Sequence, residues 1–189
     1  MDGDRVAAFL STVLHPLAVP APAGIIILTL SGYSFPATLR WVSVIAAVVV
    51  LPLLVTVKYL ERYRGLDTDR KAPRNKLYLL GLACVGISIF LLERFTGPAI
   101  MRQGMYMSVL AGFTGALVNR KTKISLHTGV MAGTAAVMYY VNPLAGVLAG
   151  VATVLVSWSR IHLDHHTLRQ VALGFLVPVL AAVVVFSIP

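Results

Sequence analysis

The chain has 189 residues, of which 58% are hydrophobic and only 12% charged, with 16 Lys/Arg against 7 Asp/Glu and a formal net charge of +9. An ordinary soluble domain carries about twice that charged fraction. Several uncharged runs approach or exceed the roughly 20 apolar residues that cross a bilayer, and surface-to-volume limits leave a small soluble domain nowhere to bury them, so a soluble globular fold is excluded.

The chain reads as an all-α, polytopic transmembrane helix bundle of about 6–7 membrane segments, a single integral-membrane domain over 1–189 with the lipid bilayer as its first partner. Its basic residues gather in short connections rather than along one extended face, which fits an anionic membrane surface, and no nucleic-acid partner is expected. Cys84 is the sole cysteine and lies in an apolar run, so no intrachain disulfide is expected. The N-terminus lacks a positive leader with a small-residue cleavage site, and the first apolar segment is expected to be retained.

Segment one runs from Val6 to Leu30 and is interrupted by Pro16, Pro20 and Pro22. It is either kinked or an interfacial turn that feeds a shorter span. Segment two covers Thr38–Tyr59, with Trp41 and Tyr59 placed for interfacial anchoring and Pro52 placed to bend it. A polar connection, Lys58–Lys76, leads to segment three, Leu77–Leu92. The turn "ERFTGP" precedes segment four, Ala99–Val118, and "NRKTK" precedes segment five, Ser125–Val141. Asn142 and Pro143 make the next turn. Segment six is Leu144–Trp158, and segment seven is Thr167–Ile188, with Pro178 inside it.

Parity sets the sides. Two crossings separate Lys58–Lys76 from Asn119–Lys123, and two more lead to Ser159–Arg169, so all three polar connections face one compartment. The first holds seven Lys/Arg against three acids, and the second holds three Lys/Arg and no acid. The opposite connections are nearly uncharged. The positive-inside rule makes the shared face cytoplasmic, with the N-terminus inside and the C-terminus outside.

That face gathers Arg70, Lys71 and Arg74, then Ser125 and His127, then Ser159, Arg160, Asp164, His165 and His166. Histidines at helix entrances ringed by guanidinium and ammonium groups suit phosphoryl transfer. Arginines neutralise the phosphoryl oxygens, one imidazole attacks phosphorus, and another protonates the departing oxygen. Ser125 and His127 open a helix, where unpaired N–H groups favour an anion. Basic residues of this kind also hold lipid headgroups without chemistry, which is the plainer reading of Arg70, Lys71, Arg120 or Lys121 taken singly.

These residues resemble the type 2 phosphatidic acid phosphatase (PAP2) superfamily of integral-membrane lipid phosphatases. That family has a Lys/Arg-Pro block, then Pro-Ser-Gly-His, then Ser-Arg with a histidine five intervening residues on and an aspartate beyond. Ser159-Arg160 is followed at that spacing by His166. Ser125-Leu126-His127 keeps the serine and histidine of the second element, with Ile124 and Leu126 for proline and glycine. "DRKAPRN" supplies Arg70, Lys71, Pro73 and Arg74 for the first, with no lysine seven positions before Arg70. Gln170 stands where the aspartate would be.

The resemblance implies a PAP2-like catalytic core over 70–189 with peripheral helices over 1–60. It implies that His166 is the nucleophile, His127 the general acid, and Arg160, Arg74, Arg70 and Lys71 the holders of phosphate oxygens, helped by Ser125. Gln170 or Asp164 would orient the nucleophilic ring. The substrate would be a membrane lipid phosphate or an isoprenyl (di)phosphate, with a slight lean toward isoprenyl diphosphates. The chemistry implies no metal and no cofactor.

Two other functions compete. An intramembrane prenyltransferase needs acidic clusters for magnesium, and Asp67 and Asp69 are the only close pair in a connection between segments. A transport or lipid-phosphate binding protein without hydrolysis would put polar groups at midplane, whereas here they concentrate at one face. The "GVMAG" and "GVLAG" runs from Gly129 and Gly146 are read as close helix packing.

Overall fold

The computed structural model describes residues 3–64 and 71–188. Within them the chain forms α1 (Gly3–Val13), α2 (Pro20–Leu30), α3 (Phe35–Ile45), a π turn (Ala46–Val50), α4 (Leu51–Arg64), α5 (Lys71–Arg94), α6 (Ala99–Lys121), α7 (Leu126–Val141), α8 (Pro143–His162) and α9 (Leu168–Ser187). No strand occurs among the described residues. The protein is an all-α, multi-pass membrane-helix bundle. Among the described residues four helices, Phe35–Leu60, Lys76–Arg94, Pro143–His162 and Leu168–Ser187, are long and apolar enough to cross a bilayer.

Burial runs opposite to that of a water-soluble protein. Large apolar side chains such as Leu79, Phe90, Phe113, Leu148, Val154 and Leu180 point outward, each more than half exposed. Ser88, Thr153 and Ser159 are buried and give their hydroxyls to main-chain carbonyls of Cys84, Ala149 and Val156. In water such a surface would aggregate; in lipid it is the solvated one.

The expected first segment divides into two helices. Pro16 lies in the break, where the His15 ring Nδ1 accepts the Leu17 N–H at 3.2 Å. Pro20 and Pro22 open α2, where a missing N–H costs no helical bond. Pro52 works differently. Its ring opposes the carbonyl four residues back, and the helix widens into the π turn just before it, with Leu51 N–H donating to the Ala46 carbonyl.

Helix α7 is central, packing on α8, α9 and α2, while α6 bridges α9 and α5. The α7–α8 turn is capped by Asn142, whose side chain accepts the Ala145 N–H at 3.0 Å. The start of α7, the end of α8 and the start of α9 therefore lie together at one end of the bundle. Tyr78, early in α5, lies beside Gly115 and Ile124, which puts the start of α5 at that end too.

Helix α1 runs across this end. Gly3 abuts the His162 ring at the close of α8, and His15, just past α1, meets the His127 ring at the opening of α7. An 11-residue helix joining two neighbouring helix ends at one level crosses the bundle rather than spanning the membrane.

Candidate functional site

The stretch from Ser159 to Gln170 folds as one unit. Helix α8 ends at His162, and Asp164 takes a left-handed conformation with φ 53°. Aspartate tolerates that region better than most residues, and the chain reverses there. The His165 and His166 N–H groups then both donate to the Arg160 carbonyl, each at 3.1 Å. The interval between Arg160 and His166 is the number of residues this reversal needs. Both side chains are buried, at 7% and 5% exposure.

Thr167 caps α9, its hydroxyl accepting the Gln170 N–H at 3.4 Å. One turn into that helix, the Gln170 side chain reaches back, and its Oε1 lies 2.8 Å from His166 Nδ1. An amide oxygen only accepts, so Nδ1 carries the proton, and in the neutral ring the lone pair lies at Nε2. Of the two residues expected to orient this ring, Gln170 stands at hydrogen-bond distance from it, whereas Asp164 is exposed at the apex of the turn.

Ser125 joins this unit from α7. Its N–H donates to the Gln170 carbonyl at 3.1 Å, and its hydroxyl accepts from Thr128 N–H and Thr128 O–H at 3.4 and 3.1 Å. Ser157 on α8 donates in turn to Thr128 Oγ1 at 3.2 Å. The contact needs Gly174, since a Cβ there would stand 2.6 Å from the Ser125 carbonyl oxygen. Half-buried His127 meets His15 edge to face, centroids 5.2 Å apart.

The structure thus brings Ser125, Arg160, His166 and Gln170 into one contiguous set, with His127 two residues on from Ser125. Lys71 and Arg74 fall in the first turn of α5, whose start lies at this end; their side chains are outside the described residues, as is Arg70 altogether. Asp67 and Asp69 also lie outside them.

Three contributors were not foreseen in these roles. Arg160 Nη1 donates to the Ser11 hydroxyl at 2.8 Å. His162 Nε2 lies 3.0 Å from Asp4 Oδ1. Lys123 Nζ stands 3.5 Å from the His165 carbonyl, at the long limit for a hydrogen bond. The helices expected to be peripheral therefore supply Ser11 and His15 to the site. Neither residue carries a motif, and Ser11 is 149 positions from its partner.

Set against protein-family models, curated proteins and solved structures, the chain finds no match.

Proposed function

We propose that the protein is an integral-membrane lipid phosphatase that works through a phosphohistidine and needs no metal. The observation that supports this most is the 2.8 Å pairing of His166 Nδ1 with Gln170 Oε1 beside the buried Arg160. It suits the tautomer in which Nε2 can attack phosphorus, in a turn held by the main-chain carbonyl of Arg160, whose guanidinium is of the kind that matches phosphate oxygens.

The reaction has two steps. His166 Nε2 bonds to phosphorus as the bond from phosphorus to the leaving oxygen breaks, and His127 gives that oxygen its proton. Water then attacks the phosphohistidine, His127 takes the water's proton, and inorganic phosphate leaves with the His166 imidazole restored. Arg160, Lys71, Arg74 and Arg70 balance charge on the phosphoryl oxygens, and Ser125 adds a donor. The substrate is a membrane lipid phosphate or an isoprenyl (di)phosphate. By the positive-inside rule the site opens on the cytoplasmic face of the membrane.

Gln170 favours a second reading. An amide orients the ring but brings no negative charge to the imidazolium, so a lipid-phosphate binding protein without turnover is the alternative. Phosphate release from lipid monophosphates and prenyl diphosphates in excess EDTA, run beside His166→Ala, separates the two. EDTA-resistant turnover that the substitution abolishes supports the phosphatase. Binding without release supports the alternative, and turnover that needs magnesium and ignores His166 overturns both.

A further inference from the structure

A cavity of about 540 Å³ lies among α2, the π turn, α4, α5, α6, α7 and α9. One end of it is polar, where Ser125, His127, His15 and Tyr78 line the wall. From there it runs between apolar walls to Ile100 and Gly104, toward the opposite membrane surface. Along α7 the lining extends from Ser125 to Val137, about 18 Å of helix. Arg160 and His166 do not belong to the lining; they sit beyond its polar end.

We infer that this cavity holds the single hydrocarbon chain of a prenyl- or alkyl-type phosphate while the phosphate lies beyond its mouth. The inference rests on the phosphatase reading for what happens at the head, and on the cavity for what happens to the chain. Head and chain of such a lipid are joined by one oxygen, the leaving atom of the reaction. His127, the residue assigned to protonate that oxygen, lines the mouth of the cavity two residues from Ser125, which is bonded to the His166–Gln170 unit. The amphiphile and the site thus divide at the same place, with the cationic connections at one end and an apolar channel at the other.

The volume selects one chain over two. At about 540 Å³ it lies in the lower half of the roughly 300–1,000 Å³ range of ligand pockets, room for one hydrocarbon chain rather than two side by side. The chain leaves lipid to enter protein, so its gain comes from packing contacts rather than from escaping water. Shape therefore governs selection, and glycine makes the shape. Gly81 and Gly104 both line the cavity, and a Cβ built on either meets no atom within 4 Å. Gly81 lies near the mouth on α5, while Gly104 lies near the deep end on α6. A side chain grown at Gly104 shortens the channel, and one grown at Gly81 narrows its entrance.

The test uses the full-length protein in detergent, with farnesyl phosphate, butyl phosphate and dioleoyl phosphatidic acid as substrates. Farnesyl phosphate is expected to be preferred over phosphatidic acid. In Gly104→Leu the ratio of kcat/KM for farnesyl over butyl phosphate is expected to fall about tenfold, the cost of overpacking a filled site. Gly81→Leu should reduce turnover of chains shorter than those Gly104→Leu excludes, and Gly104→Ala should fall between wild type and Gly104→Leu. Preference for phosphatidic acid, or a farnesyl-to-butyl ratio that neither leucine variant changes, would overturn the inference.

Farnesyl phosphonate carrying a terminal diazirine separates this outcome from failure of the phosphatase reading. Photolabelling of cavity residues in wild type and His166→Ala alike, lost in Gly104→Leu, upholds the chain site even if no phosphate is ever released. Labelling that avoids the cavity overturns it.

Discussion

Arg160, near the end of α8, donates from Nη1 to the hydroxyl of Ser11 on α1 at 2.8 Å, and both residues are buried. The guanidinium that the phosphatase reading assigns to phosphate is thus already engaged by a neutral hydroxyl on a helix that crosses the site end of the bundle. A phosphate oxygen carries charge and a serine hydroxyl does not, so the anion is the stronger acceptor for the same donor.

Ser11→Ala is expected to lower KM for a lipid phosphate, because the substrate no longer displaces the hydroxyl. It is also expected to lower stability by about 1.5–3 kcal/mol, the usual worth of a hydrogen bond to a charged group. Steady-state kinetics and denaturant unfolding in detergent read the two effects separately. A KM that is unchanged or raised would show that Ser11 does not compete with substrate.

Gln170 holds the imidazole of His166 without lending it charge. Gln170→Leu removes the acceptor for Nδ1–H and is expected to lower kcat by about 10²-fold, the cost of misplacing a reacting group, with a smaller change in KM. Gln170→Glu keeps the length and adds the negative charge that steadies an imidazolium, so kcat is expected to rise above wild type. If Gln170→Leu turns over like wild type, the pairing does not orient a nucleophile.

At Gly174 the backbone of α9 touches the start of α7. Gly174→Ala places a Cβ 2.6 Å from the Ser125 carbonyl oxygen and is expected to cost about 1–3 kcal/mol through overpacking. It should reduce activity as well, because Ser125 and Gln170 are forced apart. Gly150→Ala on α8 is the matched control. A Cβ there meets nothing within 4 Å, and the change is expected to be neutral or to stabilise by about 0.5–1 kcal/mol through helix propensity. Thermal unfolding of the pair would overturn this if the two shift alike.

The reversal after α8 depends on backbone conformation at Asp164. Asp164→Val is expected to cost about 1–2 kcal/mol, because a β-branched residue opposes φ 53°. Asp164→Asn and Asp164→Gly should be tolerated in both stability and turnover, since the exposed carboxylate does not orient His166. Loss of activity in Asp164→Asn with unchanged stability would instead give that carboxylate a chemical role.

Much of this was legible from pattern alone. The apolar runs gave helices at nearly the observed bounds: segment five, expected over Ser125–Val141, is α7 with Ser125 as its cap, and segment seven, expected over Thr167–Ile188, is α9 with Thr167 as its cap. Parity placed Ser125, Arg160 and His166 at one end because each crossing reverses the chain. The Ser11–Arg160 and His15–His127 contacts were not legible. They depend on the angle at which α1 meets the bundle, and three prolines announce a break without giving its direction. The cavity was equally silent, since it arises from glycines on α5 and α6 whose facing is a matter of helix rotation rather than of residue type.

The π turn at Ala46–Val50 carries a consequence of that same kind. One additional residue in a helical turn shifts everything after it by about 100° around the axis. The half of the rod that holds Trp41 and Val42 against the core is therefore out of phase with the half that turns Leu53 and Val57 toward the cavity. One rod serves two neighbours because its halves are indexed separately. Deleting a single valine from Val48–Val50 together with Pro52→Ala would restore an unbroken α-helical phase, swing Leu53 and Val57 off the channel wall and leave the Trp41 contacts in place. It would change the bore of the channel without touching a residue of the basic end.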